Sequence, residues 1–376
     1  MEHTFTVNIK TILEKNFPEN AEEIFKNSLL LQYLNEKTRS ANKGSKARGS
    51  FANLYSLYVI IEDYLKNEYH KKGDYGKYEG ALFSNLFTRQ RELPFGSKLQ
   101  NHALNSRTNH EFRKYFPTSE YSPILHKPET KRYWINQNLL LVKIGKSKFN
   151  IAEAILQIID EYVKTKQDAF QRFINTCLEL QKIENSTPEK VQEFIMNLLA
   201  PNVDARLFEI VSYSILKFHY SDQIIIWGFN MEELNKENLK LYKTGRTNAN
   251  DGGIDFVMKP LGRFFQVTET LDFKKYFLDI DKIQKYPITF VIKSDESKEN
   301  IIKKIKENAL KTYSIEEIVN KYMDCIEEVI TISVLQDMFK SIIAQGHLNN
   351  VLNEVAAQSK VEFNYDEADE LSISED

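Results

Sequence analysis

Apolar residues recur at three- and four-residue spacing through 19–35 and through 50–69 (SFANLYSLYVIIEDYLKNEY). This predicts two helices, the second opening on Ser50 as a cap. Two further helices are expected over 80–93 and 99–116, divided by Pro94-Phe95-Gly96. Residues 117–131 carry three prolines and read as a loop. Trp134–Val142 and Lys143–Ile151 are expected to pair as a hairpin turning at Gly145. A long helix is predicted from 151 to about 183. Thr187-Pro188-Glu189 signals another helix start, with Thr as cap and Pro in the first turn. Pro201-Asn202 interrupts the chain before a helix over 204–219.

Beyond that point the rhythm changes. Gln223–Phe229 (QIIIWGF) is a short run rich in β-branched residues and reads as a strand, and 231–243 reads as helix. Gly253–Met258 and Arg263–Thr268 are predicted strands joined by Lys259-Pro260-Leu261-Gly262, a turn of hairpin length. Phe273–Lys285 is expected to be helical, Ile288–Ile292 (ITFVI) a buried strand, and 297–355 helical. The pattern predicts an α/β protein in three parts. A mostly helical region spans 1–145, a domain with a small mixed sheet flanked by helices spans 146–360, and an acidic, disordered tail spans 361–376.

Composition sharpens this picture. With 42% apolar and 27% charged residues in 376, the chain is ordinary globular material with ample length for a core. Two cysteines, Cys177 and Cys325, exclude a disulfide framework and a Cys-rich zinc site and suit a reducing cytosol. The start MEHTFTVNIKTILEKNF lacks the apolar core of a signal peptide, and no stretch has the length of a membrane helix, so a cytoplasmic protein without a membrane is expected. The net charge of -3 hides an asymmetry. Residues 1–135 hold 21 Lys/Arg against 15 Asp/Glu, whereas Asp366–Asp376 holds six acids and no base. Lys37–Ser50 (KTRSANKGSKARGS) places five cations among small polar residues. It reads either as a solvated loop or as an arm that follows a phosphate backbone through Lys43, Lys46 and Arg48.

The segment that carries chemistry is Asn248–Thr270, NANDGGIDFVMKPLGRFFQVTET. Asp255 follows a Gly-Gly at the start of one strand, and Gln266, Thr268 and Glu269 end the next. Side chains alternate along a strand, so 266 and 268 share a face and would meet Asp255 across the hairpin, with Glu269 on the opposite face. An acid on one strand and oxygen ligands on its neighbour can hold a divalent cation for phosphodiester cleavage. Taken singly, Asp255 reads first as a turn residue, Glu209 as a solvent-facing acid near a helix start, and Gln266 and Thr268 as ordinary strand residues.

Over 204–293 the order of elements and these residues resemble the PD-(D/E)XK nuclease superfamily. Gly253-Ile254-Asp255 matches its first half-motif, and Phe264-Phe265-Gln266-Val267-Thr268 is similar in position to its second. The helix at 206–220 (RLFEIVSYSILKFHY) looks like the leading helix of that superfamily, whose acid would be Glu209. The resemblance implies Mg²⁺ held by Asp255, Gln266 and Glu209, with Thr268 and Glu269 completing the catalytic set. It departs from the family at Thr268, where the family has a lysine that stabilises developing negative charge. The missing ammonium would come from Lys274 or Lys275, or Glu269 takes a role, or the site is weak.

The front region adds residue types suited to base edges. Leu86–Phe116 resembles, less specifically, the upstream regions of type II restriction endonucleases. Asn101–Phe112 (NHALNSRTNHEF) supplies Asn101, Asn105, Arg107 and Asn109, and Arg89, Arg91 and Lys98 precede it. A polar helix packed on its own domain is the competing account. The resemblance implies a type II restriction endonuclease: a homodimer on double-stranded DNA, with a cognate methyltransferase in the same system. Alternatives are a nuclease directed at modified or foreign DNA, and a DNA-binding protein that has lost catalysis.

Overall fold

The computed structural model describes residues 2–39, 41, 47–72, 75–96, 99–101, 103–182, 188–244, 254–269 and 271–363. It is a mixed α/β structure with several small sheets. Its two compact units are Met1–Arg172 and the chain from Phe173 on. No helix among the described residues is long and apolar enough to cross a membrane. Of the tail expected to be disordered over 361–376, residues 361–363 are helical, closing the helix Leu348–Phe363, and the rest lies outside the described residues.

The first unit begins with α1 (Thr6–Asn16), α2 (Ala21–Asn27), α3 (Leu29–Thr38), α4 (Ala47–Lys66) and α5 (Tyr69–Lys72). Ser28 starts α3 by accepting a hydrogen bond from the Leu31 amide at 3.2 Å. Next come β1 (Ala81–Leu82), α6 (Phe83–Glu92), a π-turn at Ala103–Arg107, α7 (Thr108–Tyr115), β2 (Ile124–Lys127) and β3 (Arg132–Ile135). β1, β3 and β2 form a small sheet in that order, so a strand occupies part of the region expected to be loop. After α8 (Gln137–Leu140), β4 (Leu141–Ile144) and β5 (Ser147–Asn150) form the hairpin expected at Gly145, shorter than its sequence limits. α9 (Ala152–Lys182) follows. The units divide inside α9, not at 145/146, because Ile155, Ile158, Ile159 and Tyr162 belong to the first core while Phe173 and Leu180 pack on another.

The second unit contains α10 (Pro188–Asn197), α11 (Ala205–Ser221), β6 (Ile224–Trp227), β7 (Asn235–Asn238), β8 (Lys240–Lys243), β9 (Phe256–Lys259) and β10 (Arg263–Thr268). α12 (Phe273–Lys282), β11 (Ile288–Ile292), α13 (Lys298–Tyr313), α14 (Glu316–Met323), β12 (Ile326–Ile330), α15 (Ile332–Ala344) and α16 (Leu348–Phe363) complete it. Five strands form one sheet in the order β12-β11-β10-β9-β8. β8, β9 and β10 run antiparallel in turn, while β10, β11 and β12 are parallel. The parallel pairs need crossovers, which α12 and the α13–α14 pair provide.

Alternation along the strands separates two apolar layers. Leu241, Phe256, Met258, Phe265 and Val291 belong to one core, together with α11, α15 and α16. Phe264, Ile288, Phe290 and Ile292 belong to the other, with α12 and α13. Two sequence expectations fail here. Residues 231–243 contain strands, not helix: Leu239 and Leu241 are buried with exposed lysine between them, a period of two that β9 satisfies by pairing. Residues 326–330, expected to be helical within 297–355, form β12, because the buried edge of β11 offers them a parallel partner.

Candidate functional site

One end of the five-stranded sheet gathers the C-terminal ends of β8, β10 and β11 and the N-terminal end of β9. Asp255 stands just before β9, and its amide donates at 3.0 Å to the carbonyl of Phe265, the residue that Phe256 already faces, one residue out of the β9–β10 register. The Asp255 side chain nevertheless reaches Gln266. The Gln266 Nε2 donates to Asp255 Oδ2 at 2.8 Å, and the Val267 amide donates to the same oxygen at 2.7 Å. The expected meeting of Asp255 and Gln266 across the hairpin is therefore present. Gly253 lies outside the described residues.

Gln266 is only 8% exposed, and among the described residues its Oε1 has no hydrogen-bond partner. A buried acceptor left unpaired costs about 1–3 kcal/mol, so this oxygen is a strained feature of the site. It sits on the amide whose nitrogen already holds Asp255. A carboxylate and an amide oxygen are hard donors of the kind a small divalent cation takes alongside water and substrate oxygens. Asp255 and Gln266 supply two donors of that chemical class. Among the described residues, no group of three His, Cys, Asp or Glu side chains could hold a metal.

Thr268 lies on the same face as Gln266, two residues further along β10, and is buried. Lys275, on the first turns of α12, donates from Nζ to Thr268 Oγ1 at 2.9 Å. α12 is placed for this by its cap, since Asp272 Oδ1 accepts from the Lys274 amide at 3.0 Å. Of the two lysines weighed as replacements, Lys275 is the one brought to Thr268.

Glu269 points to the other face, as alternation requires, and meets Lys293, the residue after β11. The Lys293 Nζ lies 2.7 Å from Glu269 Oε1 and also donates to the Val203 carbonyl. Its side chain is only 1% exposed, whereas that of Glu269 is 32% exposed. The Lys293 ammonium also sits 5.9 Å from the Phe208 ring centroid. Sequence reasoning missed this lysine. Its signal was a cation immediately after the apolar run ITFVI. Glu209, expected to reach the metal, lies at the start of α11 with Oε1 3.4 Å from Lys243 Nζ. Lys243 ends β8 on the α11 face, so Glu209 and Glu269 are each paired with a lysine on that face, and Asp255, Gln266 and Thr268 share the other.

The front-region residues are less uniform. Arg89 grips Glu62 with two hydrogen bonds of 2.9 Å from Nε and Nη2. Asn109 accepts from the Ile124 amide at 2.9 Å and donates to the Ile124 carbonyl at 2.7 Å, which anchors β2. Both side chains are thus committed to internal structure. Arg91 lies over the Phe87 ring at 5.7 Å and is exposed, as are Asn101 and Arg107. Lys43, Lys46 and Lys98 lie outside the described residues, as do the side chains of Arg48 and Asn105. No protein-family model, no curated protein and no solved structure matches this chain.

Proposed function

We propose that this protein is a Mg²⁺-dependent endonuclease that hydrolyses phosphodiester bonds in double-stranded DNA, of the type II restriction kind. The observation that carries this reading is the constellation on one face of one sheet end. There the Asp255 carboxylate is paired with the Gln266 amide, and the Lys275 ammonium stands over Thr268. The order of α11, β8, β9, β10, α12 and β11 supports it, being the order of helices and strands on which the PD-(D/E)XK resemblance rests. In this reading Asp255 and the Gln266 oxygen hold the ion, and Lys275 takes the part of the missing motif lysine. Mg²⁺ bound there would offset phosphate charge and make its bound water more acidic. A palindromic target would call for a two-fold dimer, and restriction activity for a cognate methyltransferase.

One observation favours a second reading, a DNA-binding protein without catalysis. Among the described residues no cluster of three acidic, His or Cys side chains stands at the site, and Glu209 is engaged by Lys243. Incubation of the full chain with unmodified phage DNA and Mg²⁺ separates the two. Discrete fragments are expected, and they should disappear in Asp255→Asn. Binding without any cutting would overturn the nuclease reading in favour of the second.

A further inference from the structure

The β4–β5 hairpin carries a charge arrangement that the proposed site does not use. From Thr130 to Ala152 the sequence contains Lys131, Arg132, Lys143, Lys146 and Lys148 and not one Asp or Glu. Three of the five lie on this hairpin. Its turn is the two-residue Gly145-Lys146 between the paired Ile144 and Ser147. Gly145 has φ +57, the conformation that a turn with glycine in its first central position needs to match the strand twist.

The register fixes where the charges point. Val142 pairs with Phe149, and this pair faces inward: Val142 is buried in the first core, and Phe149 packs edge-on against Phe17. The next pair, Lys143 with Lys148, faces outward, and both residues are exposed. Like charges directly opposite each other in an antiparallel pair repel and destabilise the hairpin by a few tenths of a kcal/mol. Lys146 adds a third exposed ammonium at the turn. No carboxylate lies within ion-pair distance of any of the three among the described residues.

We propose that the outer face of this hairpin binds the phosphate backbone of double-stranded DNA through Lys143, Lys146 and Lys148. This rests on the reading of DNA as the substrate. The complementarity is that of three uncompensated cations for a polyanion. The hairpin presents no exposed large apolar side chain that could enter a bilayer, which favours a nucleic acid over an anionic membrane. Phosphate-directed lysines position DNA without reading its sequence, so they would act on any duplex.

The test is the salt dependence of duplex binding by the full chain, measured by fluorescence anisotropy without divalent metal. The comparison is between wild type and Lys143→Gln/Lys146→Gln/Lys148→Gln. Each phosphate no longer neutralised by a lysine reduces the slope of log K against log salt by about 0.9, so a decrease approaching three such steps is expected. The weakening should be similar on unrelated sequences. The triple variant should melt no lower than wild type, since it removes repulsion and no ion pair. Wild-type binding with an unchanged slope in the variant would overturn the hairpin assignment alone. Absence of any duplex binding by wild type would overturn both it and the nuclease reading. Hairpin-dependent binding to phosphatidylserine vesicles with none to DNA would assign the face to a membrane surface.

Discussion

Asp255 permits a prediction in which stability and activity part company. Its Oδ2 accepts from Gln266 Nε2 and from the Val267 amide. Hydrogen bonds to a charged acceptor are worth roughly 1.5–3 kcal/mol each. The strand end is partly open, so the lower end of that range applies, and Asp255→Ala should destabilise the second unit by about 3 kcal/mol. At about 2–4 °C per kcal/mol, its melting transition should fall by roughly 6–12 °C. Asp255→Asn should behave differently. The Asn carbonyl, standing where Oδ2 stands, can still accept from both Gln266 Nε2 and the Val267 amide, so both hydrogen bonds are kept with a neutral acceptor. The Asn variant should melt within about 1 kcal/mol of wild type. Both variants should lose cleavage by at least about 10²–10³-fold, because neither retains the carboxylate. Differential scanning fluorimetry and a plasmid-nicking assay, run side by side, read the two effects. Cleavage by Asp255→Asn would refute the site, and an Ala variant as stable as wild type would refute the hydrogen-bond geometry.

Three further outcomes follow from particular side-chain pairs. Lys275→Ala should abolish cleavage, and Lys275→Ala/Thr268→Lys should recover part of it by returning an ammonium to the same face; no recovery in the double variant, with wild type active, would leave Lys275 a merely structural partner of Thr268. Removing one partner of a buried ion pair costs about 3–5 kcal/mol, discounted here by the partial exposure of Glu269; urea unfolding should show Glu269→Ala, which strands the buried Lys293, to cost more than Lys293→Met, which leaves a carboxylate able to reach water. The hydrogen bond from Lys114, helped by Lys37, holds the Glu111 carboxyl down at about 2; the stability it lends is complete above the ordinary carboxylate range and is lost as pH falls through that range toward 2. Glu111→Gln should therefore flatten acid unfolding between about pH 5 and pH 2, followed by near-ultraviolet circular dichroism, and an unchanged acid limb would contradict that pairing.

Much of the site was legible because it depends on a local rule. The turn Lys259–Gly262 fixes the hairpin, and alternation from that turn places Gln266 and Thr268 on one face and Glu269 on the other. Asp255 reaches Gln266 across that hairpin through its side chain, while its own amide bonds to Phe265, one residue out of register. The helices were legible for a similar reason, since caps such as Asp204, which accepts from the Arg206 amide at 2.8 Å, act within three residues of where they stand. What could not be read were pairings set by distant partners. β12 is a strand because β11 is beside it, and Glu328 at its centre pairs with Arg263 from β10. A charged IEEVI segment between helices carries no local sign of this. The front-region polar residues misled for the mirror reason. Asn109 and Arg89 have side chains suited to nucleic acid, and the fold engages them internally with Ile124 and Glu62.

Thr268 shows where local and distant information join. In sequence, a threonine where a catalytic lysine is expected counts against catalysis. In the structure, Thr268 Oγ1 accepts a hydrogen bond from Lys275, which lies seven residues on and is set at the start of α12 by Asp272. A lysine rooted on β10 would project from a strand locked by two neighbours, whereas one rooted on a capped helix start reaches the same face from above. A neutral hydroxyl at 268 does not compete with the arriving ammonium for space or charge, and it gives it an acceptor. The same exchange is absent on the opposite face, where Glu209 and Glu269 are each matched to a lysine. The face with Asp255 and Gln266 instead keeps a buried oxygen without a partner among the described residues. An unsatisfied acceptor, a carboxylate and a positioned ammonium on one face, with charge matched on the other, are the asymmetry on which the proposed nuclease reading rests.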